Sequence, residues 1–292
     1  MNAKKMFGLA LAAVLTVGVL SGCGAKEETP AAPAPAASTP AAPAAPVALS
    51  GTVNLDGSTS MEKVIKILIE SFNETYPDVT ISYNGSGSGS GIIAAIDATA
   101  DMGLSSRELK DEEKAKGAVA HVVALDGVAV VVNPENAVED LTKEQIAKVF
   151  SGEITNWKDL GGADAPIAVL GREPGSGTRG AFEELVGVVD KCVYNAEYSS
   201  TGDVIGQVST NPNAIGYASL SAVSDSVKAL KVNGVVCSED TVKDGSFPIQ
   251  RPFLIVTKEG IALSDAAQAF LDYAQSAEVA DLIAQAGAVY PN

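Results

Sequence analysis

The chain has 292 residues, 46% apolar and 19% charged, and its 36 acidic side chains against 20 basic ones give a net charge of −16. That balance excludes nucleic acid and charge-driven binding to an acidic membrane surface, because both select basic patches. A single histidine and three scattered cysteines make no zinc signature, so neither a metal nor a cofactor is expected.

Lys4 and Lys5 precede an apolar run over residues 7–20, which ends in Leu20-Ser21-Gly22-Cys23. A membrane span takes roughly 20 apolar residues, so residues 1–22 read as an export signal. Leu-Ser-Gly-Cys resembles the bacterial lipobox, which implies that Cys23 is lipidated and holds an extracytoplasmic protein to the cell membrane. Residues 23–46 are rich in proline and alanine and carry six of the 14 prolines of the chain. They cannot bury a core, and at about 3.1 Å per residue they form a tether of up to roughly 70 Å. About 245 residues remain, enough for two modest domains.

The folded part opens with a predicted strand over residues 47–55 and a helix over 60–72. Met61, Val64, Ile65, Leu68, Ile69 and Phe72 line one face of that helix, and Thr59 with Glu62 fits a capping box. Tyr76-Pro77 breaks the helix. A strand over 79–83 then enters Gly85-Ser86-Gly87-Ser88-Gly89-Ser90-Gly91, followed by a short helix over 92–98 and a short strand over 100–105. Residues 122–132 form a long apolar strand interrupted by Asp126-Gly127, residues 142–150 a helix and residues 167–170 a buried strand. That strand leads into Arg172-Glu173-Pro174-Gly175-Ser176-Gly177-Thr178-Arg179 and a helix bearing Phe182, Leu185, Val186 and Val189. A strand over 253–257 and helical residues 265–286 close the chain. Strands alternating with helices indicate an α/β sheet, whose ligands sit at the carboxyl ends of the strands. Two domains joined by two crossover strands fit the order, with residues 47–126 plus 253–292 in the first and 127–252 in the second.

Three of these connections, 56–60, 85–91 and 172–179, combine glycine and hydroxyl residues and run into a helix. A helix start offers unpaired N–H groups and the positive end of the dipole, so it attracts anions. Three such starts point to a small oxyanion. Because the net charge repels an anion, binding has to come from local amides, hydroxyls and one or two arginines in a closed cleft.

Taken together, these stretches resemble the phosphate-binding proteins that feed Pst-type ABC transporters, within the type II periplasmic-binding-protein superfamily. The most specific part is Arg172 to Arg179 after Ile167-Ala168-Val169-Leu170; Phe150-Ser151-Gly152-Glu153-Ile154-Thr155-Asn156-Trp157 and Asn211-Pro212-Asn213-Ala214-Ile215-Gly216-Tyr217 support it. The resemblance implies a two-domain α/β binding protein, not an enzyme, that captures inorganic phosphate and delivers it as a monomer to a permease and ATPase. It places Thr59 and Ser60 in the first binding loop, Ser88 in the second, and Arg172, Ser176, Gly177 and Thr178 in the third. Asp101 matches the acidic position: a carboxylate accepts the proton of phosphate, whereas sulfate has none to offer. A strand-end aspartate capping the Ser105-Ser106-Arg107 turn is the plainer alternative, as a helix cap is for Thr59. Several family members carry an aspartate two positions after the arginine. Pro174 stands there, leaving Glu173 as the adjacent carboxylate.

Rival expectations remain. The fold can bind sulfate, molybdate or tungstate, and a serine hydrolase or phosphatase is the enzymatic alternative. Against the enzyme, His121 has no Gly-x-Ser-x-Gly elbow to pair with. The absence of a Gly-Lys-Ser/Thr ending excludes a nucleotide P-loop. Trp157 reads as a packing residue, and Cys192 and Cys237 form either one disulfide or two free thiols.

Overall fold

The computed structural model describes residues 49–291; the export signal, Cys23 and the tether lie outside the described residues. Chain order begins with β1 (Gly51–Gly57), a 3₁₀ turn Thr59–Met61 and α1 (Glu62–Thr75), then β2 (Val79–Asn84), α2 (Ser88–Ile96), β3 (Met102–Ser105) and α3 (Asp111–Ala115). The long β4 (Ala118–Val132) leads to β5 (Asp140–Leu141), α4 (Lys143–Phe150), β6 (Ala168–Arg172), α5 (Gly177–Val186), β7 (Ala196–Tyr198), α6 (Thr201–Thr210) and β8 (Ala214–Ser219). After β9 (Lys228–Ala229), β10 (Lys231–Val232) and α7 (Glu239–Lys243), the chain returns along β11 (Gln250–Lys258) and ends with α8 (Asp265–Gln275) and α9 (Ala280–Gln285).

The main sheet runs β2-β1-β3-β11-β4-β8-β6-β7. β1 is parallel to β2 and β3, and β6 is parallel to β7 and β8, while β4 and β11 run antiparallel to their neighbours. β4 changes partner along its length. Residues Ala118 to Gly127 pair with β11, and Val128 to Val132 pair with β8. Asp126-Gly127 therefore does not interrupt the strand; it marks the point where β4 passes from one half of the molecule to the other.

Buried apolar residues segregate on either side of that point. One cluster packs Val53, Leu55, Ile65, Leu68, Phe72, Met102, Phe253 and Phe270; the other packs Val128 to Val132, Phe150, Trp157, Phe182, Tyr217 and Phe247. In the second cluster Phe182 and Tyr217 stack at 4.2 Å between ring centroids and 16° between planes. Trp157 packs there too, its indole N–H donating to the Asn213 carbonyl at 3.0 Å. These two apolar bodies, bridged by β4 and β11, make the expected α/β architecture of two lobes joined by two strands.

Several boundaries differ from the sequence expectations, each for a local reason. α2 starts at Ser88 rather than Ile92, because Gly87 at φ 93° turns the chain before it and the second half of the Gly/Ser stretch is already helical. The expected final helix breaks at Ser276, which is extended at ψ 152° and separates α8 from a 3₁₀ turn and α9. Thr59 makes no capping bond, because the 3₁₀ turn intervenes before α1. The Cys192–Cys237 disulfide is not formed: both cysteines are free. Cys192 donates to the Val188 carbonyl just past α5, while Cys237 packs beside Gly127 of β4. Burial pushes the Cys192 thiol up to about 11.

Candidate anion-binding site

The loops after β1, β2, β3, β6 and β7 all leave carboxyl ends of strands, and they meet between the two apolar bodies. The helical turn at Thr59 and the starts of α2, α5 and α6 converge there. That is one helix start more than the sequence suggested, since α6 joins the other three.

Thr201, the first residue of α6, is the junction. Its hydroxyl lies 2.9 Å from that of Ser60 and 3.4 Å from that of Thr59, and it accepts from Arg172 Nη1 at 3.1 Å. The Thr201 amide donates to Thr59 Oγ1 at 3.3 Å. Ser60 is also 2.6 Å from the Thr178 hydroxyl at the start of α5. A second knot joins Ser88, Ser106 and Gly177. The Ser106 amide donates to Ser88 Oγ at 3.1 Å, and the two hydroxyls are 3.3 Å apart. A Cβ on Gly177 would fall onto both hydroxyls, so only glycine lets the third loop approach the second. The Gly89 amide donates to the Gly175 carbonyl at 2.9 Å and ties the same two loops together.

Ser60, Ser88, Ser106, Arg172, Ser176, Thr178 and Thr201 are all buried. Ser58 is buried as well, at 2% exposure, and its hydroxyl has no hydrogen-bond partner. A buried orphan of this kind costs roughly 1–3 kcal/mol. A hydroxyl without a partner at the mouth of a helix start is what a site for an oxygen-rich ligand provides.

Arg172 is held rigidly at 1% exposure. Glu173 accepts from its Nη2 at 2.9 Å and its Nε at 3.3 Å, and the Tyr198 and Ser199 carbonyls accept at 3.1 and 2.8 Å. Glu173 thus fills the orienting role that Pro174 cannot. Arg172's own amide donates at 3.1 Å to the hydroxyl of Tyr217, a phenol pushed up by burial. Ser176 caps α5 by accepting from the Arg179 amide at 3.3 Å. Arg179 turns outward to Glu183 and Glu197, at 2.8 and 2.6 Å.

Asp101 is not brought to this cluster. Its carboxylate accepts from the Asn54 amide at 2.7 Å and from the Asn54 side chain at 3.3 Å. It immediately precedes Met102, where β3 begins, whereas the site lies beyond Ser105, where β3 ends. At about 3.3 Å per residue the two ends are roughly 13 Å apart. Ser106, just past the strand, stands among the loops instead. The signals for the overlooked residues were present. Ser106 follows the carboxyl end of its strand, Ser58 lies within the first loop, and Ser199-Ser200-Thr201-Gly202 repeats the hydroxyl-and-glycine pattern of the other three connections.

Beneath the loops, Asp126 and Arg251 face each other as register partners on the two crossing strands. Arg251 donates to Asp126 Oδ2 from Nε and Nη2 at 3.1 and 3.0 Å, and from Nη1 to the Ser106 carbonyl at 3.0 Å. Ser219 donates to Asp126 Oδ1 at 2.7 Å and lies 2.6 Å from Ser221, which donates to the Ser60 carbonyl at 3.3 Å. The connecting strands are thereby bonded to loops on both sides of the cleft. The one histidine, His121, bonds Thr257 at 2.8 Å, so it is not aligned with Ser176.

Donors from two lobes converging on buried hydroxyls and one fixed guanidinium define a two-lobed solute-binding protein. Residues 33–278 match the family model described as PBP superfamily domain. The phosphate-binding protein PstS of Bacillus subtilis is 34% identical over 234 residues, 79% of this chain and 77% of that protein. That of Borreliella burgdorferi is 29% identical over 247 residues, 80% of this chain and 88% of its own. Among solved structures, a candidate phosphate ABC transporter substrate-binding protein of Clostridium perfringens, with phosphate bound, is 41% identical with a TM-score of 0.81, covering 83% of this chain and 100% of its own. An ABC-type phosphate transport receptor of Vibrio cholerae is 32% identical with a TM-score of 0.68, covering 82% and 100%. The chain belongs to the PBP superfamily and, within it, to the family of the PstS phosphate-binding proteins.

Proposed function

We propose that this chain captures inorganic phosphate outside the cytoplasm and delivers it to an ABC permease for ATP-driven import, without catalysing a reaction. The carrying observation is the convergence of Ser60, Thr178, Thr201 and Arg172 from two lobes beside the orphaned Ser58 hydroxyl. Hydroxyls and helix-start amides replace the water shell of the anion, and Arg172 adds charge-assisted hydrogen bonds. The bound phosphate of the Clostridium perfringens relative supports the choice of anion. Thr59, Ser60, Ser88, Arg172, Ser176, Gly177 and Thr178 form the binding set, Ser176 by capping α5, with Ser58, Ser106 and Thr201 added.

The lobes meet at 126/127 and 252/253, where β4 and β11 cross, and they close by bending there. The protein acts as a monomer tethered by a lipid on Cys23; among the described residues no helix is long and apolar enough to cross a membrane. Equilibrium dialysis against labelled phosphate tests the reading. One phosphate per chain is expected, and no retention by the folded protein would refute it. Mass measurement of the mature N-terminus tests the lipid on Cys23.

A further inference from the structure

We infer that the site receives its anion without any free carboxylate, so that Ser106 meets the corner where phosphate carries its proton and sulfate competes for the same cleft. This deepens the phosphate reading and rests on it. The carboxylates bonded to residues around the cluster are already engaged, and Glu108, two positions past Ser106, is exposed. Glu173 is bidentate on Arg172, and Asp56 accepts from Asn84 and Ser86. Asp126 is occupied by Arg251 and Ser219, and Glu113 by Arg107. Asp101 is committed to Asn54 at the far end of β3. What remains in the cluster is hydroxyl. Ser88 Oγ already accepts from the Ser106 amide, which leaves the Ser106 hydroxyl, 3.3 Å away, as the adaptable group.

A carboxylate can only accept, so it welcomes a protonated oxyanion and repels a bare one. A hydroxyl both donates and accepts. Ser106 can take the proton of hydrogen phosphate or, by rotating, donate to an unprotonated sulfate oxygen. No buried group is left unpaired with either anion, and that unpaired group is what discrimination of 10⁴-fold or more requires. The charge pattern leads to the same result. Arg172 is offset by Glu173 and Arg251 by Asp126, so neither anion meets a carboxylate whose charge is unbalanced.

The test is calorimetric titration of the wild-type chain with phosphate, with sulfate, and with phosphate in the presence of sulfate. Sulfate is expected to displace phosphate with a dissociation constant within about 10²-fold of phosphate's, and Ser106→Asp is expected to widen that ratio by a further factor of about 10². Rejection of sulfate by the wild type beyond about 10²-fold would overturn the inference while leaving phosphate capture intact. So would an unchanged ratio in a folded Ser106→Asp. Gly177 packs tightly on Ser106, so if that variant does not fold, the wild-type ratio decides alone. Absence of any phosphate binding would instead overturn the phosphate reading itself.

Discussion

The hydroxyls of Ser60 and Thr178 lie 2.6 Å apart across the cleft, although 118 positions separate them in the chain. One stands on the helical turn after β1 and the other at the start of α5, so the contact closes one lobe on the other. Two hydroxyls this close act as a unit. In a double-mutant cycle of phosphate affinity, Ser60→Ala and Thr178→Ala are expected to be non-additive by roughly 0.5–3 kcal/mol. Additive losses would mean that the two side chains serve separate ends.

Arg172 is expected to tolerate no replacement. Lysine cannot bond Glu173, Tyr198, Ser199 and Thr201 together, because that set follows the planar fork of the guanidinium. At roughly 1.5–3 kcal/mol per charge-assisted bond, Arg172→Lys should weaken phosphate binding by about 10- to 100-fold. Glu173→Gln, which keeps the shape but loses the charge, should cost less. Dialysis on both variants checks the order, and an unchanged affinity in Glu173→Gln would contradict the orienting role given to Glu173.

Gly177→Ala drives a methyl into Ser88 and Ser106. Overpacking of this kind costs roughly 1–3 kcal/mol. Because the crowding lies between the lobes, the loss should appear in phosphate affinity more than in the urea midpoint. A lowered midpoint with unchanged affinity would place the crowding outside the site.

Two aspartates, both at ends of short sequence signals, are expected to behave oppositely. Asp126 is fully buried against Arg251, and burial pushes its carboxyl up against that pairing. Breaking one half of such a pair costs roughly 3–5 kcal/mol, so Asp126→Asn should shift urea denaturation strongly. Asp101→Asn removes a half-buried carboxylate bonded to Asn54, away from the site, and should leave phosphate affinity unchanged. A large affinity loss at Asp101 would restore it to the site.

Much of this was legible in the chain. The apolar stripe of Val64, Ile65, Leu68 and Phe72 marked α1, and the order of strands and helices marked the two lobes. Gly177 and Thr178 were visible as a helix start flanked by Arg172 and Arg179. Asp101 misleads because its residue type suits a protonated anion, while its position just before β3 puts it at the wrong end of the strand. Thr201 and the Asp126–Arg251 pair were invisible for another reason. Their roles depend on partners 142 and 125 positions away, and no local pattern announces a contact of that kind. Of the two states left open for Cys192 and Cys237, the structure has the free thiols; compartment and count say nothing of where two side chains point.

The claim at the centre is that four helix starts surround one phosphate. A crystal structure grown with phosphate tests it most directly. A single tetrahedral anion is expected within hydrogen-bonding distance of Ser60, Thr178, the Gly177 amide and Arg172, with Ser58 satisfied and Asp101 remote. An anion bound at Asp101, or at any place other than this cleft, would contradict it.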